Sequence, residues 1–181
     1  MDFESLVHGI VTFIKEHRSW AAPIMFVLAF TESLAFISLV LPAWTALVAI
    51  GTIVGAGGGN DFWVVLAAAA VGAALGDWIS YWLGYHYHEQ ISRMWPINRY
   101  PNLLPRGQAF FDKWGDSAIW LGRFTGPLRA SVPIIAGTVR MPQLRFQIAN
   151  WGSAFLWAAV LMFFGDGLGK IWQVIHHRMA G

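Results

Sequence analysis

The chain of 181 residues contains no cysteine. Disulfides, thiolate nucleophiles and zinc–thiolate centres are therefore excluded. Charge is also scarce: Asp, Glu, Lys and Arg together make up 12% of the residues, about half the share of an ordinary soluble domain. The net charge is only +2, so the basic pI near 9.2 reflects a handful of side chains. No basic cluster is interleaved with aromatics, and nucleic acid is not an expected partner. The N-terminal MDFESLVHGI has acids where a signal peptide has a basic region, and it lacks an Ala-x-Ala site. No cleavable signal peptide is expected from it. Histidine is missing from the apolar runs, since all six histidines sit at segment ends or in polar pieces. Ser131 accordingly has no histidine base in its own run, which disfavours an intramembrane enzyme such as a lipid phosphatase. His86-x-His88 and His176-His177 have no acid cluster beside them, so neither a metal nor another cofactor is expected.

What remains is apolar. Hydrophobic residues reach 56%, mean hydropathy is +0.50, and there are eleven tryptophans. Trp20, Trp63, Trp120 and Trp172 flank apolar runs, where an amphipathic ring suits the headgroup zone. These features predict an all-α polytopic membrane protein, a single membrane domain over 1–181.

Along the chain, Phe3, Leu6, Val7, Ile10, Phe13 and Ile14 fall at helical spacing, with Asp2, Glu4, His8 and Lys15 off that stripe. Residues 3–17 therefore read as an amphipathic helix, lying in the interface or against the bundle. Trp20 to Gly59 is a long apolar block that contains Glu32 and Pro42 and ends in a flexible GAGGGN run. Two full spans need ~40 apolar residues plus a turn, so the block fits best as a re-entrant hairpin bent between Leu39 and Trp44, with a two-span hairpin as the alternative. Asp61 to Gly84 predicts a spanning helix. Ala68, Gly72, Gly76, Ser80 and Gly84 recur every fourth residue, a small-residue stripe that lets another helix approach closely. A polar middle follows, with turn signals in WPINRYPNLLPRG and then an amphipathic piece whose Phe110, Phe111, Trp114 and Ala118 share a face. A last apolar helix starts near Leu144 and runs to Gly165 or beyond.

The order of amphipathic helix, proline-broken hairpin and spanning helix thus occurs twice, in halves 1–85 and 86–181. If each hairpin returns to its own side, each half crosses once and the second half is inverted relative to the first. Many transporters use such an inverted repeat to place a site at the midplane.

Within this apolar background stand Glu32, Asp77, Arg123 and Arg129. Each costs about 2.5–3.5 kcal/mol at the centre of a lone inserted helix. Two acids and two bases cancel, which predicts mutual pairing across the bundle. Ion pairs of purely structural role are the plain reading, and a polar cavity for an anion is the functional one. On a straight helix Arg123 and Arg129 point ~120° apart. A bend at Gly126-Pro127 brings both into one cavity, and Pro133 with Gly137 offers a second break. Guanidinium groups bind phosphate oxygens bidentately, so two of them with free backbone amides make a phosphate receptor. Glu32 or Asp77 is the candidate proton carrier.

At these residues the sequence resembles the DedA family, also called the SNARE-associated Golgi or VTT-domain family. Three motifs carry the resemblance: Glu32 with Pro42 and Gly51; GDWISYWLG from Gly76 to Gly84; and GRFTGPLRASVPIIAGTVRMPQLRFQIANWGSAFLW from Gly122 to Trp157. It covers about residues 20–170. The resemblance implies two re-entrant hairpins facing each other, and activity in moving lipids between leaflets. For bacterial members it implies undecaprenyl phosphate recycling, envelope integrity, dependence on the proton motive force and a place in the inner membrane. Glu32, Arg123 and Arg129 match positions that the family needs for activity. Many members carry Pro-Gly-Asp or Pro-Gly-Glu at the first bend, where this chain reads Pro42-Ala43-Trp44 and lacks the second acid.

The expected function is a flippase for undecaprenyl phosphate or a related anionic lipid, with Arg123 and Arg129 binding the headgroup. A proton-coupled ion or solute transporter is the alternative, and a scaffold with structural charges a third. The expected partners are a polyprenyl phosphate or phospholipid and protons, and homo-oligomerisation is left open. Lys15, Arg18, Lys170 and Arg178 fall on one side, and Arg93, Arg99, Arg106, Lys113, Arg140 and Arg145 on the other, which tilts the middle loop toward the cytoplasm.

Overall fold

The computed structural model describes residues 12–14, 16–34, 44–57, 60–87, 103–125 and 131–179, together with Gly9, Gln90 and Arg129. At 44–45, 55–57, 60, 103–104, 165–166 and 168–179 it describes the backbone alone. The bends expected at Pro42 and at Gly126-Pro127 lie outside the described residues, as does most of the helix expected over 3–17. Among the described residues the fold is entirely helical, with no strand. A short 3-10 turn, Arg18–Trp20, leads into α1, Ala21–Ser33. Then follow α2, Trp44–Gly57, and α3, Asn60–His86. The second part contains α4, Leu103–Trp114, α5, Ser117–Phe124, α6, Val132–Thr138, and α7, Gln143–Met179.

Two stretches are long and apolar enough to cross a membrane, Asp61–His86 within α3 and Gln143–Phe164 within α7. They run in opposite directions. Phe163 lies against Phe62 at one end, Asn150 bonds the Ala74 carbonyl midway, and Phe146 stacks on Tyr81 toward the other end. Their outer faces carry Val64, Trp78, Leu144, Ile148, Phe163 and Phe164, all exposed, as lipid-facing positions are in a bundle without an aqueous surface there.

The small-residue stripe of α3 explains what packs on it. A Cβ at Gly72 would collide with the Phe26 carbonyl, and one at Gly76 would sit 2.8 Å from the Ser33 Cβ. Ser80 donates to the Ser33 carbonyl at 3.3 Å. So α1 lies on α3 in the same direction, backbone close to backbone. The stripe then passes to a second partner. A Cβ at Gly84 would strike the Ile134 carbonyl of α6, and one at Gly137 would strike the Tyr81 carbonyl of α3. The second pair of arms meets the long helices from the other end: Asp116 and Arg145 form an exposed ion pair, Trp120 covers Gly152, and Val132 covers Gly122.

Three local expectations change. Ala118 does not share a helix with Phe110, Phe111 and Trp114, because Gly115 at φ +52° ends α4 and the chain restarts as α5. Pro133 is not a break inside a helix: it occupies the first turn of α6, where its missing N–H costs nothing. Gly137 is not a bend either. It is buried inside α6, and its lack of a side chain serves the contact with α3. The chain turns only after it, at Arg140 (φ 54°), where Met141 N–H bonds the Ala136 carbonyl and Arg140 N–H bonds the Gly137 carbonyl, both at 3.0 Å. This is a Schellman-type stop, with Pro142 preventing continuation.

Candidate functional site

The buried side chains fall into two apolar clusters. One is built on Met25, Ala29, Leu47, Ile50, Ala70 and Met162, and the other on Tyr81, Phe111, Ile119, Ile135 and Phe146. On α3 the first cluster ends at Ala74 and the second begins at Tyr81; on α7 the boundary falls between Ala149 and Ala154. Glu32, Ser33, Asp77, Ser80, Arg123, Asn150 and Ser153 are buried polar residues at this boundary, and Arg129 reaches the same layer from the turn between α5 and α6. The polar layer thus separates two dry ones at mid-height of the bundle.

The charges pair in a definite way. Arg123 is bonded through Nη2 to Asp77 Oδ2 and to Asn150 Oδ1 at 2.7 Å, and through Nε to Ser153 Oγ at 3.0 Å. Asn150 is itself fixed, since its Nδ2 donates to the Ala74 carbonyl at 2.9 Å. Three helices, α3, α5 and α7, therefore supply one rigid arrangement around Arg123. Arg129 is held differently. Its Nη1 donates to Glu32 Oε1 and its Nη2 to Ser33 Oγ, at 3.3 and 3.2 Å. Its guanidinium carbon lies 4.2 Å from the centre of the Trp157 ring, a cation–π contact. The Arg129 side chain is 12% exposed, against 2% for Arg123.

Asp77, Arg123 and Arg129 line one cavity with Ile119, Val132 and Pro133, of about 10 Å³, room on the scale of a single water. Asp77 Oδ1, Arg123 Nη1 and Arg129 Nε are buried without a hydrogen-bond partner among the described residues. Buried polar atoms are rarely left so, and here three belong to the lining of one cavity. Two of them are guanidinium donors, so the layer keeps capacity for an oxygen ligand.

All four charges singled out in the sequence therefore gather, as Arg123 with Asp77 and Arg129 with Glu32. Asn150, Ser153, Ser33 and Trp157 were not singled out. A signal existed for three of them, because 150, 153 and 157 are spaced to share one face of α7, and two polar residues on one face of an apolar helix need a partner. Nothing local marked Ser33. Among the described residues no three of His, Asp and Glu come together to hold a metal ion. His86 is exposed, and its Nδ1 lies 3.0 Å from the Trp82 carbonyl in its own helix.

The VTT domain matches residues 41–167, well over half of the chain. The chain belongs to the VTT-domain (DedA) family. Inner membrane protein YqjA of Escherichia coli is 32% identical over 177 residues, covering 93% of this chain and 74% of YqjA. Inner membrane protein YghB of the same organism is 32% identical over 159 residues, covering 86% of this chain and 71% of YghB. Inner membrane protein YabI is 31% identical over 145 residues, 80% of this chain. The chain spans only 57% of YabI and 60% of a Buchnera aphidicola membrane protein that it also resembles. No solved structure gives a significant match.

Proposed function

We propose that this VTT-domain protein is a flippase, a transporter and not an enzyme, for an anionic lipid phosphate of the undecaprenyl phosphate type. It would return such a lipid across the bacterial inner membrane and so support the envelope. The inner-membrane names of its relatives and its two crossing helices support a multi-pass place in that membrane. One observation carries the reading: Arg123 and Arg129 line a common cavity, and each keeps a buried N–H without a partner among the described residues. Guanidinium edges of this kind match phosphate oxygens. The acyl or prenyl tail stays in lipid beside the bundle.

The layout suits alternating access. α1 runs along α3 toward Ser80, and α5 enters from the opposite end beside the start of α7. Glu32 at the end of α1 meets Arg129, at the turn between α5 and α6, in the polar layer. We read these as two opposed arms whose described ends meet in the polar layer, as in the inverted arrangement that places a site at the midplane. A cavity the size of one water does not admit a phosphate, so on this reading the described conformation is occluded. Headgroup entry requires an arginine to leave its carboxylate. The carboxylate released in that exchange is then free to take a proton, which is the step that would couple transport to the proton motive force. A proton-coupled carrier of a small ion or solute is the second reading, favoured by the small cavity.

The test is movement of labelled polyprenyl phosphate in proteoliposomes, with and without a proton gradient, for wild type and Arg129→Ala. Wild type is expected to move the lipid at a rate that responds to the gradient, and Arg129→Ala to lose that movement. Undiminished transport by the variant sinks the site assignment, and transport of a soluble anion in place of the lipid selects the second reading.

A further inference from the structure

The two arginines differ in which part of the guanidinium is engaged. Around Arg123 the Nη2 and Nε positions are taken by three side-chain oxygens from Asp77, Asn150 and Ser153, while Nη1 has no partner among the described residues. Around Arg129 a face is taken. Trp157, itself buried, lies 4.2 Å from the guanidinium carbon, while the two edge bonds to Glu32 and Ser33 are long, at 3.3 and 3.2 Å. A guanidinium plane is weakly hydrated and stacks on aromatic rings, whereas its N–H edges do the hydrogen bonding. A ring on the face therefore holds the group in place without using the edge that an oxyanion needs. Trp157 shares the α7 face of Asn150 and Ser153, one rigid helix that supports both arginines differently.

We propose that Trp157 is a positioning residue for Arg129. It fixes the guanidinium plane while the edge passes from the Glu32 carboxylate to the phosphate of the lipid headgroup. Arg123, tied by its edges, stays in place as the fixed wall of the site. This inference rests on the lipid-phosphate reading. It goes further in naming which arginine exchanges partners and what holds that arginine during the exchange. No covalent bond forms or breaks; one anion replaces another at one cation.

The experiment uses the full chain in proteoliposomes with labelled polyprenyl phosphate, for wild type, Trp157→Phe and Trp157→Leu. Loss of the ring face is expected to raise KM for the lipid about 10-fold in Trp157→Leu and about threefold in Trp157→Phe, with the maximal rate kept within about twofold. A second readout needs no transport. The Arg129 Nε–H resonance in nanodiscs, assigned by its loss in Arg129→Lys, is expected to lose its ring-current shift in Trp157→Leu and to keep it in Trp157→Phe. Unchanged KM in Trp157→Leu overturns the proposal, as does a fall in maximal rate at unchanged KM, or a resonance that does not move. If neither variant folds, Trp157 is a packing residue and the proposal fails. If wild type moves no polyprenyl phosphate, the transport reading fails and this inference falls with it. Normal wild-type transport with an indifferent Trp157 removes only the positioning role.

Discussion

At the scale of residues, Asp77 and Glu32 carry the same charge but do different work. Asp77 is the counter-ion of a guanidinium whose remaining bonds go to Asn150 and Ser153 on a third helix. Removing it leaves a buried cation facing neutral dipoles only. Asp77→Ala is therefore expected to lower stability by about 3–5 kcal/mol, read as an earlier thermal unfolding midpoint in detergent. Asp77→Asn combined with Arg123→Gln should recover most of that loss, because no lone charge remains. Glu32→Ala is expected to shift the midpoint less, since Arg129 keeps Ser33 and the Trp157 face. If the Glu32 variant loses more than the Asp77 variant, the assignment of Arg123 as the fixed pair and Arg129 as the exchangeable one is wrong. The Asp116–Arg145 pair is a control: both side chains are largely exposed, so Asp116→Asn should change stability by no more than about 1 kcal/mol.

At the scale of elements, α6 is seven residues long and held against α3 by missing side chains. Gly84 and Gly137 face each other across that contact, and Tyr81 Oη donates to the Met141 carbonyl at 2.6 Å just beyond the helix. A methyl group at either glycine must push backbone from backbone, so Gly137→Ala and Gly84→Ala should each cost about 1–3 kcal/mol. On the flippase reading both should also impair transport, because displacing α6 moves the turn that bears Arg129. Retention of wild-type stability in both alanine variants would show that α6 is not seated as described. The end of α6 offers the opposite change. Arg140 is exposed and adopts φ 54°, a conformation that costs a residue with a Cβ about 1 kcal/mol or somewhat more. Arg140→Gly is expected to raise the unfolding midpoint, and a lower midpoint would mean that the Arg140 side chain contributes more than its backbone strain costs.

At the scale of the whole molecule, the polar layer lies between two apolar clusters and is bounded by oppositely directed crossing helices. The arrangement fixes sidedness. The absence of native cysteine makes it directly measurable, since every introduced thiol reports alone. Single-cysteine variants at Asp61 and Trp20 are expected to react with a membrane-impermeant reagent from one side, and those at His86 and Arg145 from the other. Reaction of the Trp20 and Asp61 positions from opposite sides would mean that the chain between them crosses the membrane an odd number of times, and the inverted-repeat reading would fall.

Some of this was written locally in the chain. Helical class, the spans near Asp61–Gly84 and after Leu144, and the four candidate charges follow from hydropathy and from the cost of burying charge, both properties of short segments. The stripe from Ala68 to Gly84 showed that helices approach α3 closely, because small side chains at every fourth position leave one face flat. That the stripe serves α1 over one half and α6 over the other is a matter of long-range packing. The same holds for which acid meets which arginine, since Glu32 and Arg129 are bonded across 97 positions of sequence. Gly115 ending α4, Pro133 opening α6 and Gly137 lying inside it show that breaker residues alone do not say on which side of them the chain turns. The sequence by itself determined that charges had to be buried in an apolar bundle and had to cancel. Only the tertiary structure decided that one arginine is held by its edges and the other by its face, because that difference depends on where Asn150, Ser153 and Trp157 of a distant helix come to rest.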